Sequence, residues 1–324
     1  MNKEKKFLNV IGKRKIFYTV SLALIALILV LTFTIKPNVA IEFKGGTILT
    51  YTYTGDINTS DIQKVVSDTL NMKSTVTKGE DTASNKTTFV IKFASTDGIN
   101  NEKQNQLKEA LVKEFSKNEI AVESTSDVSA SNGRDFFFKS LVACAFAAVI
   151  TIIYIGFRFR KIGGISAGVF SVVALIHDMF MVYGCFIICR FDIDANFMAV
   201  LLTILGYSIN ATIIIYDRIR ENEKLYGSKK ELDELVNLSV TQTVGRSVHT
   251  TVTTVLAMTT VCVVCLICGV KSIISFAFPL IIGMVSGVYS SNCIAPTLWV
   301  LWKDHKAKKH GGANGKNKKN AGRR

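Results

Sequence analysis

Proline is nearly absent, 3 residues in 324, so little in the backbone stops a helix once it has started. Cysteine and histidine are both missing from the whole stretch 36–135. That stretch has no disulfide staple and must hold together by its own core. It also lacks any His- or Cys-based catalytic set, and its acids stand singly among lysines. The sequence contains no nucleotide-binding glycine loop, metal-ligand set or nucleophile triad, so the reading is not an enzyme and implies no cofactor. Acidic residues are the scarce charge, 25 against 39 Lys plus Arg, for a net charge of +14. The basic stretch 303–324 has no aromatic side chain on which a base could stack, which argues against nucleic acid. Its glycines and asparagines predict disorder.

What the sequence does have is apolar residues in long blocks. Hydrophobic residues make up 48% and the mean hydropathy is +0.30. About twenty residues at 1.5 Å each cross a hydrocarbon core of roughly 30 Å. The first block, 17–35, is uncharged and lies between Lys13, Arg14 and Lys15 on one side and Lys36 and Pro37 on the other. A signal peptide would have a shorter apolar core ending in small residues, so this block reads as an anchor. Five more blocks follow, near 137–157, 163–189, 193–216, 250–270 and 273–302. The predicted fold class is an α-helical polytopic membrane protein with six transmembrane helices. A small α+β domain sits between helices 1 and 2. The expected divisions are 1–16, 17–35, 36–135, 136–302 and 303–324.

Lysine and arginine set the expected orientation. Clusters at 3–15, 158–161, 218–246 and 303–324 all fall on one side of a six-span chain, while the other side's short loops hold only Arg190 and Lys271. Both termini are therefore expected in the cytoplasm of a bacterial plasma membrane. The polar domain is expected outside, and the basic excess next to anionic lipid headgroups. All seven cysteines lie in apolar blocks. The spacing of Cys262, Cys265 and Cys268 hints at metal ligation, but three positions spread around one helix favour packing.

Within 38–134, TILTYTY alternates as a strand does. A helix follows with Ile62, Val65, Val66 and Leu70 on one face. Short strands are expected at 74–77 and 87–93, and a helix at 99–117 with Leu107, Leu111, Val112 and Phe115 as its stripe. A last strand is expected at 119–126. The order β-α-β-β-α-β predicts a ferredoxin-like sheet with two helices on one face. Just before it, IEFKGGT places Gly45 beside Gly46, a site for φ > 0 or close packing, or an ordinary turn.

His177 and Asp178 lie roughly 22 Å along the third span, at mid-bilayer depth. An Asp there costs about 2.5–3.5 kcal/mol on insertion scales. It requires a polar interior, a proton or a partner, whether for function or for a structural bond between helices. In the fourth span Gly206 permits close helix approach, and Ser208 and Asn210 are polar at lipid depth. Asp217, Arg218, Arg220 and Glu221 mark a charged rim. Arg246 and His249 stand at the mouth of the fifth span, by function or by snorkelling. Gly283 and Gly287 read as a packing face, and Pro279 and Pro296 as kink sites.

Together IEFKGGT, the Ala174-Leu175-Ile176-His177-Asp178 run, GYSIN (Gly206, Tyr207, Ser208 onward), YDRIREN (with Asp217 and Arg218) and VTQTVGRS resemble the SecF family of bacterial protein-translocation subunits over 17–302. The resemblance implies a subunit that pairs with SecD inside the resistance-nodulation-division superfamily. It would use the proton gradient to help draw an exported preprotein from the SecYEG channel, with other Sec accessory subunits as further partners. A half-unit of a small-molecule or lipid exporter of that superfamily is the alternative. In the family an Asp typically follows GYS-x-N, near the Arg of the TQT segment. Here the position is Ala211, which can neither carry a proton nor offset Arg246. Coupling then falls to Asp178, to another ion or the partner subunit, or is absent from a purely structural half.

Overall fold

Alternation in the sequence becomes a sheet, and uninterrupted apolar runs become rods. The computed structural model describes residues 8–72, 74–81, 86–93, 99–128, 130–227, 229–268 and 271–321. Its elements run α1 (Arg14–Ile35), α2 (Ile41–Lys44), β1 (Gly46–Tyr53), α3 (Thr59–Leu70), β2 (Ser74–Asp81), β3 (Lys86–Phe93), α4 (Asn101–Glu114) and β4 (Ala121–Val128). They continue with α5 (Ala130–Arg158), α6 (Gly164–Ile188), α7 (Ala195–Tyr226), α8 (Leu232–Ile267), α9 (Lys271–Tyr289) and α10 (Ala295–Ala321). Two units form. One is Asn38–Ala143 with Asp192–Ala195, and the other is Met1–Pro37, Cys144–Phe191 and Asn196–Arg324.

In the first unit the four strands are antiparallel in the order β2-β3-β1-β4, the expected ferredoxin-like arrangement. Leu49, Tyr51 and Tyr53 of β1 alternate inward with Phe89, Ile91 and Phe93 of β3. They meet Ile62, Val66 and Leu70 of α3 and Leu107 and Leu111 of α4. Each large side chain buried this fully stabilises the fold by about 1.5–3 kcal/mol. Burial also pushes the Tyr51 phenol up to about 12, so it stays neutral in the core. The expected stripe of α4 is wrong at Val112, which is 41% exposed. Leu107, Leu111 and Phe115 follow a four-residue step, and Val112 lies a further 100° round the helix.

The Gly45-Gly46 pair does more than turn the chain. Both have positive φ, 83° and 149°. A Cβ on Gly46 would meet the backbone oxygen of Phe93, so the start of β1 can approach β3 only without a side chain. The single turn of α2 precedes it. Phe43 of that turn packs against Phe136 and Phe137, with ring centroids 5.5 Å away in each case.

Among the described residues, six helices are long and apolar enough to cross a membrane: Arg14–Ile35, Gly133–Arg158, Gly164–Ile188, Ala195–Tyr226, Leu232–Ile267 and Ile273–Lys309. The last contains α9, a π-helical turn at Ser290–Ile294 and the start of α10. Within the second unit, α6 is the most enclosed rod, while α1 and α8 present most of their surface outward. Pro279 lies inside α9, and Pro296 follows directly on the π turn at the second position of α10, where its missing N–H removes one bond of the helical ladder. Arg190 donates to the carbonyls of Ile35 (2.8 Å) and Lys36 (3.4 Å), closing the C-terminal end of α1. The helix α10 runs to Ala321, whereas composition predicts disorder from 303. No proline follows Pro296 to break its ladder.

Candidate functional site

Four elements of the helical unit, α6, α7, α9 and the π turn, bring polar groups to one point. Asp178, on α6, is fully buried. Its Oδ2 accepts from Ser208 Oγ of α7 and from Ser290 Oγ of the π turn, each at 2.7 Å. Its Oδ1 accepts from Ser286 Oγ of α9 at 2.6 Å and lies 3.3 Å from His177 Nδ1. These hydroxyl distances are those of well-formed O–H···O bonds. Each hydrogen bond to a charged group contributes about 1.5–3 kcal/mol. Three of them therefore offset the roughly 2.5–3.5 kcal/mol that an Asp costs at bilayer depth.

A second layer of hydroxyls surrounds the first. Thr212 Oγ1 donates to Ser291 Oγ at 2.9 Å, and Ser291 Oγ donates to the Ser208 carbonyl at 3.2 Å. Ser208 and Ser291 hydroxyls are 3.4 Å apart. Gly287 lets α9 come this close, since a Cβ there would lie 3.2 Å from Ser208 Oγ. One helical turn earlier, a Cβ on Gly283 would collide with Ile204 at 2.6 Å. The expected packing face is thus the wall that presses Ser208 onto Asp178. The π turn adds one residue to the helix and re-aims Ser290 and Ser291; such turns are frequent at functional sites. His177 is buried, its ring 5.8 Å from Tyr289, and its Nε2 has no partner among the described residues. Tyr289 in turn donates to the Phe17 carbonyl at 2.8 Å and touches Ser21 at 3.0 Å, tying α1 to the same layer.

The ionised carboxylate only accepts, whereas the protonated acid must donate once. A proton on Oδ2 turns one of its two serine hydroxyls away. Ser208 then has Ser291 within reach, and Ser290 has the Gly287 carbonyl at 3.3 Å.

Other expected residues lie elsewhere. Asn210 is exposed, because two residues along α7 from Ser208 is about 200° round the helix. Gly206 is exposed too, and a Cβ there would meet nothing within 4 Å; within this chain it allows no close helix approach. Arg246 and His249 are exposed on α8. The Arg246 side chain makes no ion pair or hydrogen bond among the described residues, and Ala211 is buried. Tyr207 donates or accepts at 2.7 Å with Thr251. Two of the motifs do meet. Arg218 Nε donates to Gln242 at 2.6 Å, and Asn222 donates to Ser239 (2.8 Å) and Gln242 (2.9 Å). Asp217 pairs with Arg158 at 3.2 Å and Arg220 at 2.6 Å. Cys262 and Cys265 are buried and Cys268 is exposed.

Ser286, Ser290, Ser291 and Thr212 were not legible as site residues. The available signal was a pair of serines four apart, on the helix that carries Gly283 and Gly287, but serine is common in membrane helices.

A family model described as protein export membrane protein SecD/SecF, C-terminal, matches residues 107–305. The chain belongs to the SecD/SecF family. It is 32% identical over 303 residues to the protein translocase subunit SecDF of Bacillus subtilis, covering 92% of this chain and 38% of that protein. It is 30% identical over 298 residues to the protein translocase subunit SecF of Calditerrivibrio nitroreducens, covering 91% and 94%. The crystal structure of SecDF from Thermus thermophilus superposes with a TM-score of 0.74 at 27% identity, over 94% of this chain and 40% of that one. Against both SecDF proteins the chain spans less than half the relative's length. The SecD/SecF match and the six apolar helices make this a multi-pass membrane protein.

Proposed function

We propose that this chain is a SecF-like subunit that assists Sec-dependent protein translocation across the bacterial plasma membrane, with Asp178 as the group that takes up and releases the driving proton. The observation that carries the reading is one fully buried carboxylate held by serines from α7, α9 and the π turn. With Ala211 at the position where the family typically has an acid, Asp178 is the ionisable acid at that depth whose charge state changes contacts between helices. Protonation frees one serine, the α6–α7–α9 contacts rearrange, and release restores them. Family membership supports the translocation role and does not favour the exporter alternative.

The partners follow the same reasoning. A SecD-like subunit is assigned to the exposed stripe of Leu202, Gly206 and Asn210 on α7 and to the exposed Arg246 and His249 on α8. A bare arginine on a lipid-length helix calls for a facing acid. SecYEG and the exported preprotein are the further partners. The cation clusters support a reading with both termini in the cytoplasm and the sheet domain outside.

The test is export into inverted membrane vesicles with and without an imposed proton gradient. Asp178→Asn should abolish the gradient-dependent increment while the chain still copurifies with its SecD-like partner. An undiminished increment in the variant would rule out Asp178 as the coupling group.

A further inference from the structure

Two adjoining hollows open at one end of the helical unit, away from Asp178. The larger is a groove of about 1170 Å³ between the end of α5, the start of α6 and α10. That exceeds the roughly 300–1,000 Å³ of sites for drug-sized ligands. Its walls are apolar and outward-facing: Phe157 is 65% exposed, Ile165 73% and Trp302 50%. Arg160 and Lys306 stand among its lining residues. The smaller hollow, about 270 Å³, shares Phe157 and Arg160 with the first and is otherwise lined by Arg158, Lys161, Arg220 and Lys224.

The charge there is not balanced from within. Asp217 engages Arg158 and Arg220, and Glu223 engages Lys303 at 3.8 Å. Arg160, Lys161, Lys224 and Lys306 have no ion-pair partner among the described residues. The Arg160 guanidinium rests over the Phe157 ring, 5.1 Å from its centroid, at the point where the apolar groove meets the cationic hollow. An apolar trough joined to a nest of free cations matches one chemistry, an acyl chain attached to a phosphate. Trp302 at the groove's edge is the residue type that settles at the headgroup level.

We propose that these joined hollows form a binding site for an anionic glycerophospholipid. The acyl chains lie along the groove of Phe157, Ile165, Val169 and Trp302. The phosphate lies among Arg160, Lys161 and Lys224. The site is independent of the transport reading, because no residue of it contacts Asp178 or its serines.

The test uses the full-length chain purified in neutral detergent, exposed to mixed micelles of phosphatidylglycerol or phosphatidylcholine, with retained lipid counted by native mass spectrometry. Phosphatidylglycerol should be retained at least ten-fold over phosphatidylcholine. Arg160→Gln with Lys161→Gln should remove that preference. Val169→Trp leaves every cation in place but fills the groove, and should lower retention by a similar factor in a monodisperse protein. Equal retention of the two lipids, or unchanged retention in both variants, overturns the proposal. So does displacement of the lipid by inorganic phosphate at the concentration of competing phosphatidylglycerol, or a protein segment, rather than lipid, cross-linking to Ile165.

Discussion

The sheet domain and the helical unit put opposite chemistry at their centres. The sheet domain is filled by Leu49, Tyr51, Phe89, Ile91, Phe93, Ile62 and Leu107, side chains that water expels. The helical unit has a comparable apolar cluster around Phe159, Tyr216 and Trp299, yet deeper along α6 it buries Asp178, Ser208, Ser286, Ser290 and Ser291. Apolar burial drives folding only where the alternative is water. Between helices in lipid, hydrocarbon lies on both sides of the exchange, and close packing and hydrogen bonds do more of the holding. The domain's core cluster is thus built of apolar and aromatic side chains, with Thr47 and Thr88 buried beside it, whereas the membrane unit gathers a carboxylate and several hydroxyls where three helices meet.

That contrast can be broken most severely at Asp178. Replacing it with Asn keeps the shape and removes the charge, so export should lose its whole gradient-dependent part while helicity by circular dichroism is unchanged. In the sheet domain the corresponding break is Phe89→Ala. It should destabilise the domain by about 3–5 kcal/mol, seen as faster hydrogen exchange across β1 and β3 of the full chain, with Asp178-dependent export reduced only through protein level. Gly46→Ala and Gly287→Leu test close approach in each unit. Each should cost about 1–3 kcal/mol by overpacking, the first read by exchange in β1 and β3, the second by the thermal midpoint of the detergent-solubilised chain.

The smallest effect concerns the exposed pair of Lys78 and Asp56, 2.8 Å apart. The Lys78 ammonium holds the Asp56 carboxyl below the usual carboxylate range. A group whose folded value is depressed stabilises above its unfolded value and loses that contribution as pH falls through the folded one. Asp56→Asn should therefore leave hydrogen exchange in β2 unchanged at neutral pH apart from a marginal shift. That marginal difference between the native chain and Asp56→Asn should vanish as pH falls through the depressed folded value of Asp56. A large effect at neutral pH would contradict this surface reading.

Much of the fold was legible in the sequence. The β-α-β-β-α-β order follows from period-two runs such as TILTYTY and from helix stripes such as Ile62, Val66 and Leu70. Six long apolar runs gave the rods. The helix faces were harder. Spacing places Ser208 and Asn210 on opposite sides of α7 but does not say which side meets α6. Asp178 stood out because a buried acid is costly. Its serine donors did not, because each is an ordinary residue until the fold brings them together and the π turn aims Ser290, and a one-residue bulge leaves no period to read. Gly206 and Arg246 misled for the opposite reason: each suggests a contact that this chain alone does not make.

Asp178 is proposed to change its protonation while buried among hydroxyls. Infrared difference spectra of the full chain in vesicles, stepped in pH, isolate the carboxyl C=O band when Asp178→Asn serves as the blank. A protonated-acid band that appears on acidification, vanishes in Asp178→Asn and shifts in Ser286→Ala is the predicted result. The absence of any Asp178-dependent band at every pH would contradict it.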